Sequence, residues 1–430
     1  MDGIFSPWTV HCTAKMGIRR YVPFMRHLRA IALPFLLSLS TVAAVTPNPR
    51  ISRGKPVALS ANSYAAANLV DGKFGTAWYY TPNSWAAVQV GAGSSKVLVT
   101  WNDVSSNWSD VIPSAGVCKA GTNFPSAYSI LTSKNSTDGS DGTWDTLSRV
   151  TGNVVASRAH LIDFTGASWV KMLITAGNGG MDELEVYDAS NGAADSWFFL
   201  GTSITMMTFK SSIADSNVSD LIHARVPANT PSLVRGGVPC INSSQVLTSI
   251  KDYLDNMAGS HYVAIEMATN DAWGGGDWNL ANYTRNMQAI IDSIRGRGME
   301  PIIARPIATD SARAKWQVHP GYLKVVDSLT KSNRLTPGPD LDAWFRAHPE
   351  QLNSDGAHPN AVAAQAIQRL WADAMAKTVY ASTPTTIAPL HRSPVQRLVT
   401  GSDALGRPRT AKTSGISLDA TGAKVFLPKP

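Results

Sequence analysis

The residues able to do chemistry lie far apart in this chain. Ser203 follows WFFLG, residues 197–201, an apolar run that reads as a buried strand. A serine hydroxyl is a poor nucleophile until a base takes its proton. A candidate base, His358, stands in NSDGAHPNA, with Asp355 three residues before it. That spacing lets the carboxylate reach one ring nitrogen and leaves the other for the serine. A tetrahedral intermediate also needs donors for its oxyanion. Asn270, in EMATNDAW, offers a side-chain amide at the end of another apolar run. The segment RGGVPCINSS, read as a glycine-rich loop, is a second source, and the Ser203 N–H a third. Each piece has a plain reading as well. A strand-end Ser is a turn or helix cap, Asn270-Asp271 a turn pair, His358 a helix start and Asp355 its cap. The combination specifies more than its parts. The strand–Gly-x-Ser-x-Gly–helix elbow is missing, which argues against the standard α/β-hydrolase layout.

Such a set works only if folding gathers four loop tips. From residue 197 onward, strand-like runs (WFFLG, YVAIEMA, EPIIARP) alternate with amphipathic helical runs (QVLTSIKDYLDNM, NYTRNMQAIIDSIRGRG, YLKVVDSLTKS, NAVAAQAIQRLWADAMAK). That alternation predicts an α/β domain, a parallel sheet covered by helices. Sites in such sheets form where strands end and helices begin. Residues 50–190 differ. WAAVQVG, SKVLVTW, AYSILTS, HLIDFTG, WVKMLIT and DELEVYD read as short strands broken by Gly, Asn, Asp and Ser, with no convincing amphipathic helix between them. They predict an all-β jelly-roll sandwich.

The chain has 430 residues, 44% hydrophobic and 16% charged, with a formal net charge of +7. That length suits two domains plus tails. Part of the positive charge sits at the two ends, and no basic stripe is interleaved with aromatics, so no nucleic-acid partner is expected. Residues 1–44 read as a signal peptide: the basic GIRRYVPFMRHLR, the apolar AIALPFLLSLSTVAA, and a cleavage site after Ala44. An uncleaved anchor is the alternative. No other segment is apolar enough to cross a bilayer. The mature protein is therefore expected to be secreted or periplasmic, with no transmembrane segment. Of the three cysteines, Cys12 falls in the signal, and Cys118 and Cys240 are free to pair or not. No spacing resembles a zinc site. Residues 381–430 form a Pro/Thr/Ser-rich extension without a long periodic element.

Residues 195–380 resemble the SGNH, or GDSL-like, hydrolases. FLGTSIT is similar to their first block, GGVPCINSSQVL to the second, MATND to the third and DGAHPN to the fifth. The resemblance implies Ser203 as nucleophile, His358 as base, Asp355 as its partner and Asn270 as side-chain oxyanion donor. It puts Cys240, or with a shifted alignment Gly237, at the backbone oxyanion position beside Ser203. Thr202 replaces the usual Asp of the first block, and Ala268 a common Gly of the third. ANLVDGKFGTAWYY, SWAAVQVG and HLIDFTGASWVKMLIT, within residues 50–190, resemble the discoidin, or coagulation factor 5/8 type C, sandwich. That likeness implies a possible carbohydrate-binding module. Trp273 and Trp278 flank three glycines after the Asn270 segment, placed to stack a sugar ring, to shape an acyl pocket or for local packing. Arg305 suits an anionic group or a structural salt bridge.

Together these imply a serine esterase that removes an O-acyl group, in the first instance acetyl, from a carbohydrate through a Ser203 acyl-enzyme. No cofactor and no metal are needed. The partners expected are an acylated carbohydrate and a polysaccharide surface. The rival readings are a polysaccharide O-acyltransferase with the same residues, a lipase or thioesterase, and a non-catalytic glycan-binding protein.

Overall fold

The computed structural model describes residues 45–104, 118, 123–209, 217–257 and 259–381, with the backbone of 417–418 and 424–425. The expected signal peptide and most of the C-terminal extension lie outside the described residues. The described residues all fall within one compact unit.

An antiparallel sandwich comes first. One sheet holds β1 (Val57–Leu59), β3 (Trp85–Gln89), β5 (Ala127–Ser133), β6 (Asp145–Thr151) and β8 (Trp169–Ala176), in the order β1-β3-β8-β5-β6. The other holds β2 (Trp78–Tyr80), β4 (Lys96–Asp103), β7 (Ser157–Asp163) and β9 (Gly179–Asp188), ordered β2-β9-β4-β7. Between them lie Val88, Val99, Trp101, Ile130, Met172 and Leu184, all fully buried. Alternation explains the arrangement, since successive side chains point to opposite faces.

The α/β domain follows, as the alternating pattern predicts. Its parallel sheet runs β11-β10-β12-β13-β14, from β10 (Ser196–Gly201), β11 (Ser232–Gly237), β12 (Tyr262–Glu266), β13 (Glu300–Arg305) and β14 (Pro337–Asp340). β10 is apolar on both sides because both faces are covered. Phe198 and Leu200 join a core with α3 (Ser243–Asp255), α4 (Leu280–Gly296) and α6 (Pro320–Ser332). Trp197 and Phe199 face the other layer. There lie α1 (Ser203–Thr208), α2 (Val218–Arg225), α7 (Leu341–Ala347) and α8 (Ala361–Thr378), while α5 (Ser311–Ala314) is a single turn after β13. Gly201 pairs with Gly237 on one side and Glu266 on the other. Three strands thus end level, and their loops leave from one edge.

RGG is strand here, not loop: Arg235, Gly236 and Gly237 close β11. Its charge and glycines hide the strand pattern. Arg235 is buried because Asp182 of β9 receives its guanidinium at 2.5 Å, and its N–H donates to Ser157 Oγ of β7 at 2.9 Å. A Cβ on Gly237 would fall 2.2 Å from the Met206 nitrogen of α1, so only glycine fits. The sandwich therefore covers the edge strand of the parallel sheet. Leu98, Ala159 and Tyr187 of the sandwich share one core with Val234 and Met257. In the extension, Ser417–Leu418 and Lys424–Val425 form β15 and β16, a two-residue antiparallel pair.

Candidate active site

Ser203 opens α1 directly after β10. Thr202 caps that helix: its Oγ1 accepts the Ile204 N–H at 3.1 Å. Ser203 is 6% exposed, and its Oγ lies 2.8 Å from His358 Nε2. The His358 Nδ1 lies 2.6 Å from Asp355 Oδ2. An ionised carboxylate only accepts, so Nδ1 carries the ring proton and Nε2 is left to accept from Ser203. Burial alone would raise the Asp355 carboxyl. The N–H groups of His358 and Ala357, at 3.0 and 2.9 Å, and the ring outweigh it and hold the group below the usual carboxylate range. Asp355 thus stays charged opposite the ring.

The loop carrying this pair precedes α8, whose N-cap is Asn360. Asn353 N–H donates to His358 O at 2.7 Å, and Gly356 N–H to Asn353 O at 2.9 Å. Gly356 has φ +67° and no room for a Cβ, which would sit 2.7 Å from the Ala314 nitrogen. Arg313, in α5, clamps the loop from outside. Its guanidinium donates to the carbonyls of Leu352 (2.8 Å), Asn353 (3.0 Å) and Pro349, and pairs with Asp310 at 2.7 Å.

Asn270 and Cys240, expected as oxyanion donors, lie on two other loops. The Asn270 amide donates to Ile241 O at 2.7 Å, joining the β12 loop to the β11 loop. A primary amide has two hydrogens, so one is left over. The Ser203 and Cys240 N–H groups have no acceptor among the described residues. Cys240 is exposed, has φ +61°, and is disulfide-bonded to Cys118 with a Cα–Cα distance of 5.9 Å. The left-handed backbone that a glycine would take freely is thus held by a cysteine. Asp271 pins the base of both loops. It accepts from Ser243 N–H and Oγ and from Asn279. Burial pushes its carboxyl up to about 6, against those bonds.

The structure thus joins Ser203, His358 and Asp355 in one line, and Asn270 to the Cys240 loop, on loops that leave neighbouring strand ends. Gly237 sits in β11, packed on α1. Arg305 is taken up by Asp327 and Asp340, each at 2.7 Å, the salt-bridge alternative of the two readings. Trp273 and Trp278 are 52% and 67% exposed. Trp273 also packs on Trp316, with ring centroids 5.0 Å apart. Sequence reasoning missed Arg313, Asp271 as a loop pin, and Glu266, a buried carboxylate below Ser203. A lone acid at the end of YVAIE was the available signal for the last. Arg313 had none, because its partners are main-chain carbonyls. Among the described residues no group of three or more His, Cys, Asp or Glu could hold a metal.

No family model matches the chain. No curated protein sequence matches it. Among solved structures it is similar to a lipase/acylhydrolase from Enterococcus faecalis, with 20% identity and a TM-score of 0.35, over 42% of this chain and 95% of that one. It is similar to Axe2, an acetylxylan esterase from Geobacillus stearothermophilus, with 15% identity and a TM-score of 0.34, over 43% of this chain and 95% of that one. It is also similar to chitosan-binding module 1 of a chitosanase/glucanase from Paenibacillus sp. IK-5, with 20% identity and a TM-score of 0.25, over 32% of this chain and 98% of that one.

Proposed function

We propose that this protein is an SGNH-type serine esterase that removes a small O-acyl group, in the first instance acetyl, from a carbohydrate. The observation that carries this reading is the unbroken line from Ser203 Oγ to His358 Nε2 (2.8 Å) and from His358 Nδ1 to Asp355 (2.6 Å). Ser203 attacks the ester carbonyl while His358 takes its proton. The Ser203 and Cys240 N–H groups and the Asn270 amide receive the negative oxygen. His358 then protonates the leaving alcohol, and an acyl-serine remains. Water, deprotonated by His358, attacks that ester, and the acid and free Ser203 are released. Asp355 stabilises the imidazolium at both stages. No cofactor takes part in these steps.

The exposed faces of Trp273 and Trp278, next to the Asn270 loop, suit the flat apolar side of a sugar ring. The sandwich is read as a module that holds a polysaccharide. Secretion to an oxidising compartment fits the Cys118–Cys240 bond. Among the described residues no helix is long and apolar enough to cross a membrane.

The test is Ser203→Ala, assayed on 4-nitrophenyl acetate and on acetylated polysaccharides. Turnover should fall by about 10⁴ or more with the melting temperature retained. A folded variant with wild-type turnover overturns the assignment. Faster turnover of long-chain than of acetyl esters by the wild type overturns the substrate class.

A further inference from the structure

Glu266 ends β12 on the face shared with Ala264, toward α1 and α8, and is 2% exposed. It lines a small gap with Phe199, Ile367 and Trp371. Its Oε1 has no hydrogen-bond partner among the described residues. Burying a carboxylate with one bare oxygen is costly, and an apolar side chain would pack there more cheaply. Stability therefore does not account for it.

Its other oxygen has a definite task. Oε2 accepts from Thr202 Oγ1 at 2.8 Å, and more weakly from Thr202 N–H and Thr205 Oγ1, both at 3.4 Å. With its hydrogen given to Glu266, the Thr202 hydroxyl turns a lone pair to the Ile204 N–H. One carboxylate thus reaches the Thr202 N–H directly and the Ile204 N–H through the Thr202 hydroxyl, and leaves the Ser203 N–H between them unspent. Burial pushes the Glu266 carboxyl up, and the Thr202 and Thr205 donors around Oε2 pull it back toward the acceptor-only ionised form. A protonated Glu266 would need an acceptor of its own.

We propose that Glu266 is a positioning residue for the nucleophile: acting through Thr202, it sets the Ser203 turn so that the Oγ meets His358 while the Ser203 N–H stays open to the oxyanion. This rests on the esterase reading above. The carboxylate does not touch the substrate. It keeps the reacting atoms in register, where a misplacement of about 1 Å costs on the order of a hundredfold in rate.

The experiment compares Glu266→Leu, Glu266→Gln, Thr202→Val and the double variant Glu266→Gln/Thr202→Val in the full chain. It reads kcat, KM, the rate of Ser203 labelling by a fluorophosphonate, and melting temperature. Glu266→Leu should lower kcat and labelling by about 10- to 100-fold with KM little changed. Its melting temperature should be equal or higher, because a bare buried oxygen is gone. Glu266→Gln keeps an acceptor for the Thr202 hydroxyl and should lose less. The double variant should be no worse than Thr202→Val, since both act through one bond. Wild-type kcat in folded Glu266→Leu, or losses that multiply in the double variant, overturn the proposal. Should Glu266→Leu not fold, Glu266→Gln decides: wild-type kcat and labelling there overturn it. A wild type that neither turns over esters nor labels at Ser203 sinks the esterase reading, and this inference with it. Normal wild-type labelling with unaltered variants sinks the inference alone.

Discussion

The two halves of the candidate site are held by opposite means. Ser203 and the Asn270 and Cys240 loops are fixed from below by the level ends of β10, β11 and β12 and by the buried acids Glu266 and Asp271, and from the side by a disulfide to Cys118. Asp355 and His358 sit on a surface loop, with side chains 49% and 27% exposed. That loop is held by its own backbone turns and by Arg313, itself 31% exposed. Positioning by packed strand ends, by Asp271 and by the disulfide is coupled to folding, so damage there shows as lost stability; Glu266, with its bare oxygen, is the exception, and damage there shows as lost rate. Positioning by a surface clamp is separable from folding, so damage shows as lost rate.

Cutting the covalent tie tests the first half and should have the largest effect. Cys118→Ser removes the bond and leaves the backbone at Cys240 untouched. The bond spans 122 residues, and its loss should cost about 2–4 kcal/mol of stability. Denaturant unfolding of the variant, and of wild type under reductant, should give the same drop. The kcat should fall less, because Asn270 and Asp271 still hold the loop. An unchanged unfolding midpoint would show that the tie carries no load.

Arg313→Ala tests the second half. Three carbonyls of the segment before Asp355 and His358 lose their donor at once. The kcat should fall by about 10- to 100-fold through misplacement of His358. The melting temperature should move by a few degrees at most, since these carbonyls can turn to water. A large melting shift with kcat per folded molecule unchanged would erase the contrast between the halves.

The readability of the sequence follows the same division. The sandwich and the parallel sheet were legible where side chains alternate or run apolar, as in SKVLVTW and WFFLG. β11 was not, because Arg235 is made tolerable inside chiefly by Asp182, a residue 53 positions away in the sandwich, and by the Phe209 carbonyl. The Ser203–His358–Asp355 contacts were foreseeable because the chemistry proposed for them restricts the residue types. Their supports were not. Arg313 bonds to carbonyls that any residue supplies, and the partners of Glu266 are ordinary threonines. The packing of the sandwich on β11 left no local mark at all.

Ala268 gives the smallest effect and the sharpest test of the core-held half. It sits between β12 and Asn270, fully buried, with φ +105°. That lies beyond the left-handed helical region, where only glycine is at ease. Such strain costs on the order of 1–3 kcal/mol and persists only where surroundings enforce it. The Ala272 N–H donates to Ala268 O at 2.8 Å, and Asn270 is anchored to Ile241, so the turn is enforced from both ends. Ala268→Gly should relieve the strain and lose part of the gain to a freer unfolded chain, for a net rise of about 1 kcal/mol. The kcat should stay within about twofold, because the Asn270 anchor and not the strain places the amide. A stabilised variant with much lower kcat would mean that the strained backbone itself aims Asn270. The buried half would then hold its donors by tension as well as by packing.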